Sequence, residues 1–298
     1  MAYRRHYPIP TRYHPPTPLP TRHRRLTDQK GGLVGIGLLA LTLLVITVGA
    51  QVVPWLPNRV ALDEALQAPS LRHPLGTDNF GRDVLSRLLW GGRVSLSAGL
   101  LSVVLATSVG SLLGIVAGYV GGLVDAAIGA LAEVILAFPS LLLALVMAWL
   151  FGRDMAKAAI AVGIASTPIY IRIARNSVRR TRRAPFVRAA EAVGATDGRI
   201  LFCHILPNIA GPLLSLAMIN LGWAILYVSG LSFLGMGAHP PQAEWGAMLS
   251  DARAYMREAP WLGLAPGAAI AVTVLAVNLL GEAWQESLYP SKSAGVYT

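Results

Sequence analysis

The chain has 298 residues, of which 54% are hydrophobic and only 13% charged, and its mean hydropathy is +0.54. This composition lies outside the range of soluble globular domains and predicts an all-α protein that crosses a membrane several times. The formal net charge of +10 is distributed between apolar stretches rather than on one folded basic face, which argues against nucleic acid as a partner.

The first thirty residues, Met1 to Lys30, are rich in Arg, His and Pro. Repeated prolines, as in YPIPTRYHPPTPLPT, disfavour a helix and leave too little apolar surface for folding. A cleaved signal peptide would begin with a much shorter charged region. We therefore predict a disordered cytoplasmic tail over residues 1–30.

Six apolar stretches follow that are candidates for membrane-crossing helices, each of which needs about twenty residues. They cover residues 31–53, 94–124, 134–152, 158–171, 209–234 and 259–281, and the fourth is the shortest. A returning or interfacial segment is predicted between the fifth and the sixth. An even number of crossings places both termini on one side of the membrane.

The basic residues predict which side that is. With the N-terminal tail inside, the cytoplasmic side collects seven basic residues from the tail, eight from Arg172 to Arg199, and Lys292. This distribution follows the positive-inside rule. The predicted organisation is a tail (1–30), a first transmembrane helix (31–53), an extracytoplasmic segment (54–92), a transmembrane core (93–290) with a cytoplasmic loop (172–203), and a cytoplasmic C-terminal tail (291–298).

Glycines recur at four-residue intervals in the second predicted span, at Gly110, Gly114, Gly118 and Gly122. This spacing places them on one face of a helix, where the absence of a side chain lets a neighbouring helix approach closely. We therefore predict close helix packing along this face.

No motif for catalysis is present. A phosphate-binding GxxxxGK(S/T) loop needs a lysine after a glycine, whereas Lys30, Lys157 and Lys292 follow Gln, Ala and Ser. HExxH, GxSxG and CxxC motifs and metal-ligand clusters of His or Cys are also absent, and the single Cys203 cannot form an internal disulfide. We predict no catalytic residue, metal site or cofactor in this chain.

Ionisable residues are rare within the predicted spans, although ion-coupled transporters use them along their pathway. Glu133, at the edge of the third span, and Glu282, at the end of the sixth, can equally lie in water at the interface. A transport role for Glu133 stays open. We expect a route lined by small, apolar and hydroxyl side chains, with the energy supplied by another protein.

The arginine-rich loop ends in RAAEAVGATDGRILFCHILPN, residues 188–208. Its alanines favour a short helix over residues 187–193, and Gly194 suits the C-terminal end of that helix. A helix with so little side-chain bulk can dock deeply into a groove on a partner protein.

A second helix is predicted after this short one. Thr196 and Asp197 can cap its N-terminus. It would enter the membrane through residues 200–202 and be bent by Pro207.

The same stretch resembles the EAA loop of the membrane subunits of binding-protein-dependent ABC importers. That pattern is EAA, three residues, Gly, nine residues, then IxLP. Arg188 stands in place of the leading Glu, and His204 in place of the Ile. The positions that match are Ala189, Ala190, Gly194, Leu206 and Pro207.

Five further motifs occur in order along the chain. They are HPLGTDNFGRDVLSRLLWGGRVSLSAG (73–99), LAFPSLLLA (136–144), GLSFLGMG (230–237), EWGAML (244–249) and NLLGE (278–282). With them the chain, from about residue 26 to 290, resembles the second permease subunit of the dipeptide, oligopeptide and nickel importer family.

The resemblance implies a type I ABC importer permease fold with about six transmembrane helices, in the plasma (inner) membrane of a bacterium or archaeon. It implies a non-catalytic subunit, partnered by a second homologous permease, two cytoplasmic ATPase subunits that bind ATP and Mg, an extracytoplasmic solute-binding protein and membrane lipid. The residues expected to couple to an ATPase subunit are Arg188, Ala189, Ala190, Glu191, Gly194, Ala195, Leu206 and Pro207.

The resemblance leaves the cargo open. Peptide-carrying relatives often have an acidic residue just after AIL in the fifth span, where this chain has Val228, as nickel-type relatives do. Di- and oligopeptides are the expected cargo because most of the family carries them. Nickel or a metal chelate is the alternative, and an ion-coupled secondary transporter is the more distant one.

Isolated histidines and tryptophans receive simpler interpretations. His73, His204 and His239 are expected to be interfacial hydrogen-bonding groups rather than metal ligands. Trp245 and Trp261 are expected at the headgroup level, where they could shape an outer gate or the surface that receives the binding protein.

Overall fold

A computed structural model describes residues 30–288. The predicted tails therefore lie outside the described residues, apart from Lys30. Within this range the chain is helical and has no β-strand. The main helices are α1 (Lys30–Leu44), α2 (Val84–Val120), α3 (Gly122–Leu136), α4 (Ser140–Phe151), α5 (Met155–Arg182), α6 (Pro185–Ala192), α7 (Leu206–Phe233), α8 (Trp245–Ala252) and α9 (Trp261–Leu288).

Two of these helices extend into continuous longer ones. α1 passes through a π-helical turn, Val45–Gly49, and ends at Val52. α7 is preceded without interruption by a helical turn, Asp197–Arg199, and a π-helical segment, Ile200–Ile205. Length and composition make five of the described helices long and apolar enough to cross a membrane: Gly31–Val52, Val84–Val120, Met155–Arg182, Asp197–Phe233 and Trp261–Ser287.

α3 and α4 meet at an angle of 93° and are together long and apolar enough for a sixth crossing. The fold class and the number of about six crossings are confirmed, but the third predicted span, 134–152, is not one straight helix. Proline has no amide hydrogen and disfavours the helical conformation in the residue before it. The chain therefore leaves the helix at Leu136 and resumes it at Ser140, after Pro139.

The predicted spans end at charged residues, but two helices continue past them. α2 begins ten residues earlier than predicted, because the Asp83 carboxylate accepts a hydrogen bond from the Ser86 amide (2.7 Å) and caps the helix there. α5 continues to Arg182, so the first part of the predicted loop 172–203 is helical.

The helix packing shows which ends lie together. Gly35 of α1 packs against Ala276 and Leu280 of α9, so the start of α1 and the end of α9 share one side of the bundle. On α2, Gly110 meets Thr167 and Gly118 meets Arg175, so α2 and α5 run parallel. The ends of α2 and α5, together with α6, form what we call the foot side.

The predicted close packing along the α2 glycines is confirmed, with one correction. A Cβ atom on Gly110 would lie 2.6 Å from the Thr167 carbonyl oxygen, and one on Gly118 would lie 2.8 Å from that of Arg175. Gly122 does not continue this face, because α2 ends at Val120 and no atom lies within 4 Å of a Cβ built there.

A buried polar network joins the segment before α2 to the segment between α7 and α8. The Arg87 guanidinium donates to the carbonyls of Pro57 (3.2 Å) and Pro241 (3.3 Å), so it links two chain segments far apart in sequence. Arg82 pairs with Asp78 at 2.6 Å. Burial raises the pKa of Asp251, which lies on α8 beside this network, while the positive charges of Arg87 and Arg82 oppose that rise.

Trp245 and His73 are buried in protein rather than interfacial, although His73 forms a hydrogen bond, as expected. Trp245 is 1% exposed and donates its Nε1 hydrogen to the Leu88 carbonyl (2.8 Å). His73 is 2% exposed, with Nδ1 at 2.9 Å from the Asp83 carboxylate. Trp261 is half-buried, and its Nε1 lies 3.4 Å from the Thr77 carbonyl. Trp261 therefore helps to hold the segment before α2 in place, whereas Trp245 bonds to α2 itself.

Candidate functional site

The short helix α6 projects from the foot side and confirms the helix predicted there. Pro185 occupies its first turn, where a missing amide hydrogen costs nothing. We call residues 184–195 the foot.

One side chain anchors the foot to the bundle. Val187 is fully buried, in an apolar cluster with residues of α5 and of the 197–233 helix. The other buried members of this cluster are Ala174, Val178, Ile200, Ile205, Ile209 and Leu213. The foot is therefore packed against the ends of two long helices and cannot move independently of them without breaking this cluster.

The outward face of the foot is open to solvent, with the small residues Ala189 and Gly194 beside larger charged and apolar ones. Arg188, Ala189 and Glu191 are exposed, and Val193 is 85% exposed. Phe186 adds a second apolar side chain, 46% exposed. An exposed pair of large apolar residues on a charged surface is typical of a protein contact.

Gly194 ends the helix as predicted. Its φ of +81° is a left-handed conformation that glycine adopts readily. The Gly194 amide donates to the Glu191 carbonyl and the Ala195 amide to the Ala190 carbonyl, both at 3.0 Å, which is the Schellman pattern of helix termination. No atom lies within 4 Å of a Cβ built on Gly194, so its surroundings are open.

The predicted coupling residues fall into two groups. Five of them, Arg188, Ala189, Ala190, Glu191 and Gly194, lie together on the foot. The remaining three lie at the end of the foot or beyond it: Ala195, its last residue, and Leu206 are half-buried against the Val187 cluster, and Pro207 is exposed at the start of α7.

The predicted second helix begins at its predicted cap. The Thr196 hydroxyl accepts a hydrogen bond from the Arg199 amide (3.4 Å), and the Tyr119 hydroxyl donates to the Asp197 carboxylate (2.7 Å). The irregularity expected at Pro207 instead precedes it, as the π-helical segment. There the Leu206 amide donates to the Leu201 carbonyl, five residues back.

Arginines surround the foot. Arg179, Arg182, Arg183 and Arg188 line an open cleft of about 760 Å³ together with Glu191 and Gly118. Asp125 of α3 pairs with Arg175 (Nη2 to Oδ2, 2.7 Å) and with Arg179. Sequence reasoning treated Asp125 only as the boundary of a span, although its position on α3 ties that helix to α5.

The remaining polar candidates lie at exposed or half-buried positions. Glu133 and Glu282 are exposed on α3 and α9. His239 Nε2 lies 2.6 Å from the Arg153 carbonyl, and His204 is half-buried with its ring 6.5 Å from that of Phe186. Among the described residues, no three His, Cys, Asp or Glu side chains are grouped so as to hold a metal ion.

Comparison with known proteins shows that the foot lies within the part of the chain that matches a protein family. Residues 110–293 match the family described as binding-protein-dependent transport system inner membrane component. The chain is 41% identical to the dipeptide transport system permease protein of Alkalihalophilus pseudofirmus, over 76% of this chain and 74% of that protein.

Two other relatives are covered more completely. The glutathione transport system permease protein of Pectobacterium atrosepticum is 40% identical over 86% of each chain. The di/tripeptide transport system permease protein of Pseudomonas aeruginosa is 37% identical over 92% of this chain and 93% of that protein. The similarity thus extends over nearly the whole chain.

Proposed function

Because the chain belongs to the family of binding-protein-dependent transport system inner membrane components, we propose that it is a permease subunit of an ATP-driven importer of di- and oligopeptides. The observation that carries the proposal is the anchored foot with its open small-residue face, which lies inside the region that matches the family. The subunit crosses the membrane and catalyses no reaction itself.

The foot transmits force from an ATPase subunit. Its face of Ala189, Ala190 and Gly194 enters a groove on that partner, while Phe186 and Val193 supply apolar contact area at the rim. Since Val187 locks the foot to α5 and to the 197–233 helix, a displacement of the foot tilts both helices. The arginine-lined cleft beside it favours acidic groups on the docked surface.

The other partners follow from the geometry of the two sides. Two ATPase subunits bind ATP and Mg²⁺, and a second permease completes the membrane assembly. A solute-binding protein docks on the opposite side, where the Arg87 and Asp78 network holds segment 54–83 as a firm platform. The foot side and both termini are cytoplasmic in this arrangement, in accordance with its eight arginines.

Peptides are the proposed cargo because the three relatives above carry the names dipeptide, glutathione and di/tripeptide. The presence of Val228 in place of an acidic residue, which favoured nickel, carries less weight in the structure. Val228 is fully buried in the apolar core, so the absence of an acid there says little about the groups that a passing solute meets.

The test is uptake by the reconstituted complex of two permeases, two ATPases and binding protein in proteoliposomes. We expect ATP-dependent accumulation of a labelled dipeptide, no accumulation without ATP, and no effect of a protonophore. Accumulation of Ni²⁺ but not of peptide would show that the cargo is nickel and not a peptide. Accumulation driven by an ion gradient alone would instead identify a secondary transporter.

A further inference from the structure

A second cleft, distinct from the foot, opens among α3, α4, α5 and α7. The space between its walls, including the part open to solvent, is about 640 Å³. It is lined by Leu136, Ser140, Ala165, Ser166, Ile169, Asn220, Trp223, Ala224 and Tyr227. No Asp, Glu, Lys, Arg or His is among these residues.

The cleft contains the broken backbone between α3 and α4. Leu136 and Ser140, which flank the break, share the cleft with Ser166 and Asn220. Ser166 lies near the middle of α5, and Asn220 near the middle of the apolar stretch 209–234. The break is therefore level with the middle of two helices that are long and apolar enough to cross the membrane.

A break at that depth excludes lipid as the neighbour of this face. Backbone groups that have lost their helical partners are tolerated in the hydrocarbon region only where they are covered by protein or face a water-filled cavity. Phe138 in the break is 56% exposed in this chain, so no other element of the described chain covers it.

The side chains of the cleft give it a mixed character. Asn220 donates from Nδ2 to the Tyr170 hydroxyl (3.2 Å), and among the described residues its Oδ1 makes no hydrogen bond and stays free to accept one. Trp223 is 53% exposed and packs against Tyr227, with ring centroids 6.0 Å apart. Polar groups of this kind inside an apolar bundle are typical of a substrate path.

We propose that this cleft is the subunit's half of the translocation pathway and that it holds a peptide in transit through backbone hydrogen bonds and aromatic contacts, without charge pairing. The proposal rests on the proposed function. Asn220 and Ser166 form hydrogen bonds with the backbone amide groups that every peptide shares. Trp223 and Tyr227 contact peptide side chains of any type. Uncharged walls admit acidic, basic and neutral peptides alike.

Thiol labelling tests whether the cleft is wet. In the assembled complex, on a Cys203→Ser background that retains uptake, Ser166→Cys and Asn220→Cys should react with a charged maleimide in at least one nucleotide state. Leu275→Cys on α9, half-exposed and outside the cleft, is the control and should not react. Equal, low reactivity of all three cysteines in every state would overturn the proposal.

Filling the cleft tests its role in transport. Ser166→Trp should lower dipeptide uptake at least tenfold, with unchanged amounts of assembled complex in the membrane. The matched control is Ser108→Trp, at an exposed serine of α2 outside the cleft, which should transport normally. Unchanged uptake by Ser166→Trp would contradict the inference alone, whereas a wild-type complex that transports no peptide would remove the proposed function as well.

A charge placed in the cleft provides a readout that a purely structural role would not move. Asn220→Asp should lower uptake of an aspartate-containing dipeptide at least fivefold relative to a lysine-containing one, because a like charge now lines the path. An unchanged ratio of the two uptake rates would count against contact between cargo and Asn220.

Discussion

At the residue scale, the foot depends on two positions with opposite surroundings. Val187 is fully enclosed by apolar side chains, and Gly194 has open space around it but a backbone that other residues rarely adopt. Val187 fixes the foot to the bundle, and Gly194 allows the helix of the foot to end. Substitutions at the two positions should therefore fail for different reasons.

Gly194→Val should abolish coupling without preventing insertion. The left-handed backbone costs a non-glycine residue about 1–2 kcal/mol, and the added side chain enlarges the docking face. We expect peptide uptake and binding-protein-stimulated ATP hydrolysis to fall at least tenfold, with unchanged amounts of subunit in the membrane. Gly198→Val is the matched control, since its surroundings are equally open and its φ is ordinary. Normal uptake by Gly194→Val would contradict the coupling role.

Val187→Asp should release the foot from the bundle. An unpaired carboxylate in this cluster carries a burial cost of several kcal/mol, which the foot avoids by detaching. Limited proteolysis should then cut the variant between residues 183 and 197. We expect the wild-type subunit to resist cleavage in this segment. Val193→Asp, at a position 85% exposed, should leave the digestion pattern unchanged. Equal resistance of both variants would show that Val187 is not the anchor.

At the element scale, the contact between α2 and α5 sets how rigidly the bundle responds to the foot. Three glycines of α2 bring its backbone against carbonyl groups and Cβ atoms of α5, with no α2 side chain between the two helices at these points. In lipid such contact replaces the hydrophobic effect as the source of helix association. The Asp125 pair with Arg175 holds α3 to the same helix. A force applied to α5 through the foot would therefore also reach α2 and α3.

Gly114→Leu should separate α2 from α5. Its side chain would meet Ala174 and the Ile171 backbone, which have no room to yield. We expect the thermal unfolding midpoint of the detergent-solubilised subunit to drop by several degrees. Gly37→Leu on α1 is the control, because nothing lies within 4 Å of a Cβ there. Similar midpoints for the two variants would show that the glycine face does not carry the packing.

At the scale of the whole molecule, the bundle has two different sides. One side presents the foot and an excess of arginines, while the other carries segment 54–83, held by buried ion pairs. The 93° bend between α3 and α4 lies between them and opens the uncharged cleft. In the proposed function, the ATPase subunit acts on the first side, the binding protein docks on the second, and the peptide passes through the cleft between them.

Cysteine accessibility in intact cells tests this orientation. On the Cys203→Ser background, Leu71→Cys, at a fully exposed position of segment 54–83, should react with an impermeant maleimide added outside. Glu191→Cys on the foot should react only after the cells are permeabilised. The reverse pattern would place the foot outside and remove the basis for coupling to ATP.

Several features could be predicted from the sequence because their causes are local. The number of crossings follows from apolar length, since a backbone in lipid must satisfy its own hydrogen bonds within a helix. The short helix, its Gly194 terminus and the Thr196 cap follow from residue preferences over a few positions. The spacing of Gly110, Gly114 and Gly118 likewise indicated a packed face, although not its partner.

The tertiary structure alone decided what each side chain meets. The sequence predicts Trp245 at the membrane interface, but protein encloses it. Val187 lies in an arginine-rich stretch, and its sequence context does not indicate that its side chain anchors the foot. The uncharged cleft combines residues of four helices, and Val228 beside it faces the core instead. Burial is a property of contacts between residues distant in the chain, so local patterns fix the helices and their ends, whereas packing selects which faces are covered.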